Sequence, residues 1–345
     1  MDIGRRRLLA LCGGGLAGGL AGCTGGGFGA RTPTSGLTDL HTIETEGSIS
    51  DVTYYYALDN GVWEAHGIDL SFEVAAFGKY NRQVVTGSSE IGAPSAVAQL
   101  KFVDRGEDLV LVGGQLNMFN RIFARADDDS IEGAGDLAGK RVGLPASRTS
   151  TTSTTHRVLV EDAYGVDLIE DTAETRTAPP PALWEFLQKG ELDAISEFSG
   201  FTIKGMADES VKTVFDPYEL WRERTGTDLP TTTYTVKREW LEGNADTVLR
   251  FLRGWRDAMA LFEENTAEAL EAYGDVAGIT TDAEAEVVKD MVDEGIVYGP
   301  AFFDEAGVEA NWEFVELLVG AGVLESRPDR DRLYATESAL ESMAE

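Results

Sequence analysis

Short apolar runs alternate with longer segments of helical period along most of the chain beyond residue 37. The run at 40–45 predicts a first strand, and 52–66 predicts a helix that breaks near Asn60-Gly61. The same alternation predicts strands at 68–74, 90–92, 109–112, 120–125, 140–144, 174–177, 192–196 and 211–215, and helices at 79–85, 94–103, 180–188 and in a segment ending at 164. This order of strands and helices predicts an α/β fold, divided into two blocks near residue 116.

The pattern changes after Pro230. A β-branched run at 231–236 predicts one more strand, and the remainder is dominated by helical periodicity. The predicted helices lie at 246–265, 266–273, 283–294 and 304–319. The second block therefore ends near residue 231 and is followed by a mainly helical tail.

The first 23 residues have the layout of an export signal. Arg5, Arg6 and Arg7 precede a short apolar run at 8–21, and Leu20-Ala21-Gly22-Cys23 follows. The paired arginines resemble a twin-arginine signal, and the last four residues resemble a lipobox, in which the cysteine is acylated after cleavage. We therefore predict a lipoprotein signal at 1–22, lipidation at Cys23, and a flexible Gly-, Ser- and Thr-rich tether at 23–37. A lipid-anchored position on the outer face of the cell membrane follows from these predictions.

Composition adds a strong negative charge to this picture. The 345 residues include 60 Asp and Glu against 29 Lys and Arg, for a net charge of −31. A chain this acidic, without a concentrated basic patch, argues against nucleic acid as a partner. The scarcity of Lys among the cations predicts a surface adapted to molar salt, with an ordinary acidic protein as the alternative. An apolar fraction of 43% is sufficient for a packed core in about two domains.

No catalytic or metal-binding constellation stands out in the sequence. Cys12 and Cys23 are the two cysteines, and cleavage of the signal would leave Cys23 alone, without a disulfide partner. His41, His66 and His156 lie far apart, without a second ligand at metal spacing. Nucleophile-elbow, Walker and dinucleotide-binding glycine patterns are absent from the sequence. We therefore expect no metal, no cofactor and no enzymatic activity.

Several motifs, in order along residues 38–240, resemble one family. They are YYYALDNGVW at 54–63, HGIDL at 66–70, GSSEIGAPS at 87–95, DLAGKRVG at 136–143 and GELDA at 190–194. Together they resemble the solute-binding proteins of ABC transporters, in the branch for nitrate, alkanesulfonates, taurine and thiamine-pyrimidine precursors. The cysteine-rich signature of the pyrimidine-synthesising relatives is missing.

This resemblance implies a type II periplasmic-binding-protein fold, with two α/β lobes joined by two crossover strands. Lobe one would comprise 38–116 and 232–345, and lobe two 117–231. The protein would be a monomer that captures a small-molecule solute between its lobes and delivers it to an ABC permease with its ATPase. A same-fold enzyme of pyrimidine synthesis and a ligand-binding sensor are the alternatives.

In this fold, loops after strands direct helix N-termini into the cleft, where free N–H groups bind ligand oxygens. The ligand-binding residues predicted on this basis are Ser48, Ser50, Asp51, Phe77, Gly78, Pro94, Ser95, Ser147, Arg148, Thr149, Ser150 and Glu197. Each hydroxyl among them has an alternative role as a helix cap. Arg148 and the helix N-termini favour an oxyanion, whereas Asp51 and Glu197 favour an amine or aminopyrimidine, so the sequence leaves the charge of the solute open.

Overall fold

The structure, a computed structural model, describes residues 36–345. The predicted signal at 1–22, the lipidation site Cys23 and all but the last two residues of the predicted tether lie outside the described residues. Those predictions therefore remain predictions. Within residues 36–345, no helix combines the length and apolar character needed to cross a membrane.

Ten strands and fourteen α-helices form the described part of the chain. The strands are β1 Thr38–Thr45, β2 Ile68–Ala75, β3 Ile91–Gly92, β4 Leu109–Gly114, β5 Ile122–Arg125, β6 Arg141–Pro145, β7 Glu174–Ala178, β8 Ala194–Ser196, β9 Val211–Phe215 and β10 Thr233–Lys237. The helices are α1 Ile49–Asp59, α2 Val62–Ala65, α3 Phe77–Thr86, α4 Ala96–Asp104, α5 Thr151–Tyr164, α6 Pro180–Gln188, α7 Gly200–Met206, α8 Pro217–Thr225, α9 Arg238–Glu264, α10 Thr266–Tyr273, α11 Asp282–Asp293, α12 Glu305–Gly320, α13 Arg330–Leu333 and α14 Glu337–Ala344. Short 3-10 segments lie at Ala134–Leu137 and Gly274–Ala277.

The strands form two separate groups with the same internal order. In the first group, the parallel pair β1–β2 lies beside the sheet β3–β10–β4, with β1 packed next to β3. In the second, the order is β7–β6–β8–β5–β9. The antiparallel strands β10 and β5 occupy equivalent places, and each is reached by a chain segment that arrives from the other group. The predicted arrangement of two α/β lobes is confirmed.

Two chain segments run side by side between the lobes. Thr231 N donates to Leu116 O at 2.8 Å, and Gln115 N donates to Thr232 O at 3.0 Å. Asn117 pairs with Pro230 in an antiparallel bridge. The predicted lobe boundaries at 116/117 and 231/232 lie within these paired segments, and we retain them as a proposal.

An aromatic cluster forms the centre of lobe one. Helix α1 buries Tyr54, whose ring stacks on Trp63 at 5.2 Å and on Trp255 of α9 at 5.2 Å. Gly254 permits this packing, because a Cβ there would lie 2.7 Å from the Trp63 ring. The Tyr54 hydroxyl bonds to the Tyr234 hydroxyl at 2.8 Å, so the buried ring keeps a polar partner.

The element boundaries differ from the sequence predictions in specific places. Helix α1 begins at Ile49, before the predicted 52, and α9 is one long helix with a kink at Asn244. Helices α7, α8, α13 and α14 were not predicted. For α8 the signal was present in the sequence, since Asp216 caps it by accepting from Tyr218 N and Glu219 N.

Candidate functional site

A cavity of about 290 Å³ lies between the two lobes. Lobe one contributes Thr45, Glu46, Ser48, Ala76, Phe77, Tyr80, Ser95, Leu116 and Thr232 to its lining. Lobe two contributes Phe119, Asn120, Pro145, Ser150, Thr151, Thr152, Phe198, Ser199 and Thr231. We call this cavity the cleft, and both lobes contribute aromatic rings and hydroxyl groups to its lining.

Five helices begin at the cleft. Their N-cap residues are Ser48 for α1, Ala76 for α3, Ser95 for α4, Ser150 for α5 and Ser199 for α7, and all five line the cavity. The first turn of each helix has backbone N–H groups without helical acceptors, and the helix dipole adds partial positive charge. The arrangement therefore offers backbone donors to a bound molecule from both lobes.

The predicted site residues fall into three groups by position. Ser48, Phe77, Ser95 and Ser150 line the cleft. Ser147 and Thr149 line a smaller adjoining pocket of about 240 Å³, to which Phe77 and Ser150 also contribute. The remaining predicted residues are not among the cleft-lining set: Ser50, Asp51, Gly78, Pro94, Arg148 and Glu197.

The contacts of two residues explain why they lie away from the cleft. The guanidinium of Arg148 donates to Thr175 O at 3.2 Å on β7. Pro94 uses its carbonyl to accept from Thr233 N at 3.1 Å, as part of the lobe-one sheet. Arg148, whose positive charge favoured an oxyanion as the predicted solute, is therefore directed away from the cleft.

Capping decides the role of some hydroxyls and not of others. Ser150 Oγ accepts from Ser153 N at 3.3 Å and donates to Pro145 O at 3.2 Å, so it caps α5 while lining the cleft. Ser48 and Ser95 are N-cap residues without a side-chain capping bond. Neither hydroxyl therefore caps a backbone N–H of its own helix, although Ser48 Oγ lies 2.7 Å from Ser50 Oγ in the first turn of α1.

Sequence reasoning did not identify several lobe-two residues of the cleft. Asn120 Oδ1 accepts from Ser199 N at 3.0 Å, and Asn120 Nδ2 donates to Thr152 Oγ1 at 3.0 Å. Ser199 has a φ of 46°, an uncommon value for a non-glycine residue. Its Oγ donates to Gly47 O at 2.9 Å, which joins the two lobes beside the cleft.

Gly200, the residue after Ser199, brings the backbones of the two lobes into contact. A Cβ on Gly200 would lie 2.6 Å from Ala277 O and 3.5 Å from Gly47 O. Both of these carbonyls belong to lobe one under the proposed boundaries. The start of α7 is therefore a place of close approach between the backbones of the two lobes.

Three buried carboxyl groups lie just behind the cleft wall. Glu44 accepts from Ser50 Oγ at 3.1 Å and from Gln115 Nε2 at 3.2 and 3.3 Å. No carboxyl oxygen of Asp51 or Glu197 makes a well-formed hydrogen bond in the described structure, although the backbone N–H of Ser48 lies close enough to the Asp51 carboxyl to oppose the rise in its pKa. Burial raises the pKa of all three, to about 8 for Asp51 and well above the usual range for Glu44 and Glu197.

The buried histidine has a structural role at the cleft. His156 bonds through Nε2 to Asn120 O at 2.9 Å and through Nδ1 to Ser196 Oγ at 2.9 Å. Burial lowers its pKa to about 4, so the ring is neutral near pH 7. Since the Asn120 carbonyl only accepts, Nε2 carries the proton, and the ring fixes the backbone of Asn120. Among residues 36–345, no group of three or more His, Cys, Asp or Glu side chains is arranged to hold a metal ion.

Comparisons with known proteins agree with this geometry. A search of curated protein sequences finds no match. Among solved structures, the periplasmic aliphatic sulphonate-binding protein SsuA from Escherichia coli superposes with a TM-score of 0.67 and 16% identity, over 86% of this chain and 92% of that chain. The alkanesulfonate-binding protein SsuA from Xanthomonas axonopodis pv. citri bound to MOPS has a TM-score of 0.65 and 16% identity, over 89% and 100% of the two chains.

A third structure belongs to a protein named for a different solute. The periplasmic nitrate-binding protein NrtA from Synechocystis PCC 6803 has a TM-score of 0.65 and 13% identity, over 89% of this chain and 88% of that chain. At these identities the likeness establishes the fold, and the predicted periplasmic-binding-protein fold class is confirmed. The family model described as NMT1/THI5 like matches residues 50–269, most of the two-lobed region. The chain, whose motifs had pointed to this branch, therefore belongs to the NMT1/THI5-like family.

Proposed function

We propose that the protein is the extracytoplasmic solute-binding component of an ABC importer and captures one small organic solute in the cleft. The observation that carries the proposal is the cleft itself, because both lobes line it and five helices begin there. Lobes connected by only two segments can close on a solute and open again by a hinge motion. The solved neighbours named for sulfonates and nitrate support a binding role for this fold.

The cleft lining indicates which solutes deserve testing. Phe77, Tyr80, Phe119 and Phe198 supply aromatic surface, and Glu46 is the one charged side chain among the lining residues. A cavity of about 290 Å³ is the size of a small ring compound. A small organic solute with a planar or apolar part fits this lining better than a bare inorganic ion does.

The binding claim is tested by a thermal-shift screen followed by calorimetric titration. The screen contains alkanesulfonates, taurine, nitrate and pyrimidines at millimolar concentration. A cognate solute at one hundred times its Kd should stabilise the protein by about 2.7 kcal/mol. Failure of every compound to shift the melting temperature or to bind by titration would contradict the proposed function.

The second part of the proposal is membrane anchoring through Cys23 and delivery of solute to a permease with its ATPase. Its support is the Leu20-Ala21-Gly22-Cys23 sequence after an export-type leader. Cys23→Ser should move the protein from the membrane fraction to the soluble fraction, and wild type should carry the mass of a lipid. A mutant that stays with the membrane, beside a wild type without lipid, would contradict the anchor and leave the binding claim intact.

A further inference from the structure

The smaller pocket beside the cleft has a basic residue in its wall. The pocket has a volume of about 240 Å³, and Lys101 of α4 is the only charged residue among the described residues that line it. No Asp or Glu belongs to that lining, although the whole chain contains 60 of them. In so acidic a protein, a pocket wall with a cation and no carboxylate is suited to a negatively charged ligand.

The ammonium group of Lys101 is only partly satisfied by the protein. Its Nζ donates to Thr149 O at 3.1 Å, from lobe one to lobe two under the proposed boundaries. An ammonium group has three hydrogens, so two remain for another acceptor. Within residues 36–345, no carboxylate forms an ion pair with Lys101. Burial first, and then the positive charges of Arg105 and Arg157, lower its pKa, and an anion beside Nζ would offset both effects.

Two further donors belong to the same pocket. Asn81 Oδ1 accepts from Ser95 N at 3.0 Å. Because a backbone N–H can only donate, this contact fixes the oxygen end of the amide and leaves Nδ2 without a partner in the described structure. In lobe two, Ser147 Oγ has only a long contact of 3.4 Å with Thr149 Oγ1, so its hydrogen is available as well. Donors from both lobes therefore surround the pocket.

An ion can reach this pocket without passing through the cleft. The two cavities share part of their walls, including Phe77 and Ser150. Ser147 and Thr149, which line the pocket and not the cleft, are exposed to solvent. The pocket is also much larger than the roughly 30 Å³ that one water molecule occupies, so it has room for a polyatomic anion together with water.

We propose that this pocket binds a free inorganic oxyanion of the phosphate or sulfate type, held by Lys101 and Asn81 of lobe one and by Ser147 of lobe two. The site is separate from the cleft and goes beyond the proposed function, because the anion binds whether or not the cleft holds a solute. An anion in this place contacts both lobes and adds to the hydrogen bond that Lys101 makes with Thr149 O. It therefore stabilises the arrangement in which the lobes lie close together.

The test is calorimetric titration of the full chain with inorganic phosphate at pH 7. Sodium chloride keeps the ionic strength at about 0.15 M, where charges are screened beyond roughly 8 Å. We expect one saturable site with a Kd on the order of 1 mM, for which sulfate competes. Since the net charge of −31 repels anions from the surface as a whole, saturable binding reports a local site.

Three variants assign the binding to this pocket. Lys101→Met removes the charge and the donors and should weaken phosphate binding by at least about tenfold. Asn81→Asp keeps an acceptor for Ser95 N but replaces the amide donor by a carboxylate oxygen, and it should weaken binding at least as much. Ser147→Ala removes the hydroxyl of lobe two and should weaken binding by about five- to tenfold.

The matched controls make the same changes of charge elsewhere. Lys289→Met and Gln188→Glu lie at exposed positions of α11 and α6 and should leave phosphate affinity within about twofold of wild type. Thermal melting shows whether each variant is folded. If Lys101→Met or Asn81→Asp does not fold, Ser147→Ala carries the test, because its side chain is exposed.

Each other outcome overturns a stated part of the inference. Absence of saturable phosphate and sulfate binding by wild type overturns the site, as does unchanged affinity in folded Lys101→Met or equal weakening in the controls. Unchanged affinity in Ser147→Ala alone overturns the contact with lobe two. If phosphate does not bind but an anionic compound of the screen does, and loses affinity in Lys101→Met, the pocket holds one end of the solute and the free ion is overturned.

The titration is independent of the solute-binding function. Phosphate binding beside a screen in which every compound fails contradicts the proposed function and leaves this site standing. Solute binding without phosphate binding has the opposite meaning.

Discussion

At the scale of single residues, the burial of carboxyl groups affects the stability of this protein. Asp51 is 1% exposed, and neither of its carboxyl oxygens makes a well-formed hydrogen bond in the described structure. Its pKa rises to about 8 because burial disfavours the charged form; the backbone N–H of Ser48 opposes this rise, and the negative charge of Glu46 adds to it. In an unfolded chain the same carboxyl would ionise near its ordinary pKa of 3.8. Between these values, raising the pH favours unfolding, since the unfolded state has already released the proton.

Asp51→Asn should therefore stabilise the protein at pH 7. The amide does not ionise, so the free energy of unfolding should rise by on the order of 2 kcal/mol, allowing for the new amide hydrogens that need partners. The gain should shrink as the pH falls toward 4. Urea unfolding at several pH values measures both effects, with Glu242→Gln as the surface control. A variant that is less stable than wild type at pH 7 would show that the interaction of the Asp51 carboxyl with the Ser48 backbone outweighs the cost of burying the charge.

How well residues were predicted depended on where they lie along the chain. Ser48, Phe77, Ser95 and Ser150 were found because a strand that feeds a helix places the first helical residues at one edge of the sheet. Asn120, Ser199 and Thr232 were missed because they belong to crossing segments or strained loops, where no periodicity marks the inward side. Glu44 lies inside β1, and its contact with Gln115, 71 residues away in the sequence, has no signal in the local pattern.

At the scale of elements, the start of α5 combines capping with the wall of the cleft. Residues 151–155 are all Thr or Ser and all buried, which is unusual for the first turns of a helix. The side chain of Ser150 satisfies Ser153 N, and Thr152 bonds to Asn120. The polar character of this helix start and the site residue Ser150 were predicted from the sequence, but Thr151 and Thr152, which also line the cleft, were not.

Ser150→Ala should destabilise the protein through the lost cap. The expected decrease in the free energy of unfolding is about 1 kcal/mol, because Ser153 N loses its acceptor. Thr149→Ala is the matched comparison, since Thr149 is exposed and outside the cleft lining, and it should have little effect on stability or on solute affinity. Chemical denaturation and titration with the screened solute measure the two quantities. If Ser150→Ala and Thr149→Ala changed stability and affinity equally, the capping role assigned to Ser150 alone would be contradicted.

At the scale of the whole molecule, negative charge exceeds what internal pairing can neutralise. Even if every one of the 29 Lys and Arg were paired, 31 of the 60 carboxylates would remain without a cation. Most of the ion pairs, such as Arg224 with Asp162 and Glu313, lie at the surface, where each contributes little. Repulsion among the remaining charges therefore opposes the compact state at low salt.

Stability should rise as this repulsion is screened. We expect the melting temperature to increase steeply between about 10 mM and 1 M NaCl, over which the screening length falls from roughly 30 to 3 Å. Potassium chloride should give the same increase, because the effect is one of ionic strength. A melting temperature that does not respond to salt would contradict adaptation to molar salt.

The contact at Gly200 should control the approach of the lobes. Because a Cβ there would lie 2.6 Å from Ala277 O, Gly200→Ala should separate the lobes and weaken solute binding by about tenfold or more. Gly243→Ala is the control, since a Cβ at that helical position meets nothing within 4 Å. Small-angle scattering and titration together measure the separation and the affinity. Unchanged affinity in Gly200→Ala would show that the lobes need not come this close to hold a solute.

The hydrogen bond from Ser199 to Gly47 has a consequence for the timing of solute release. It spans the two lobes at 2.9 Å, so the lobes cannot part until it breaks. One neutral hydrogen bond contributes about 1 kcal/mol, which corresponds to roughly a fivefold change in the frequency of opening. The residence time of the solute is then set partly by a bond that the solute never touches. A receptor at the membrane that drew Gly47 away from Ser199 would shorten that residence time and release the cargo at the place where it is taken up.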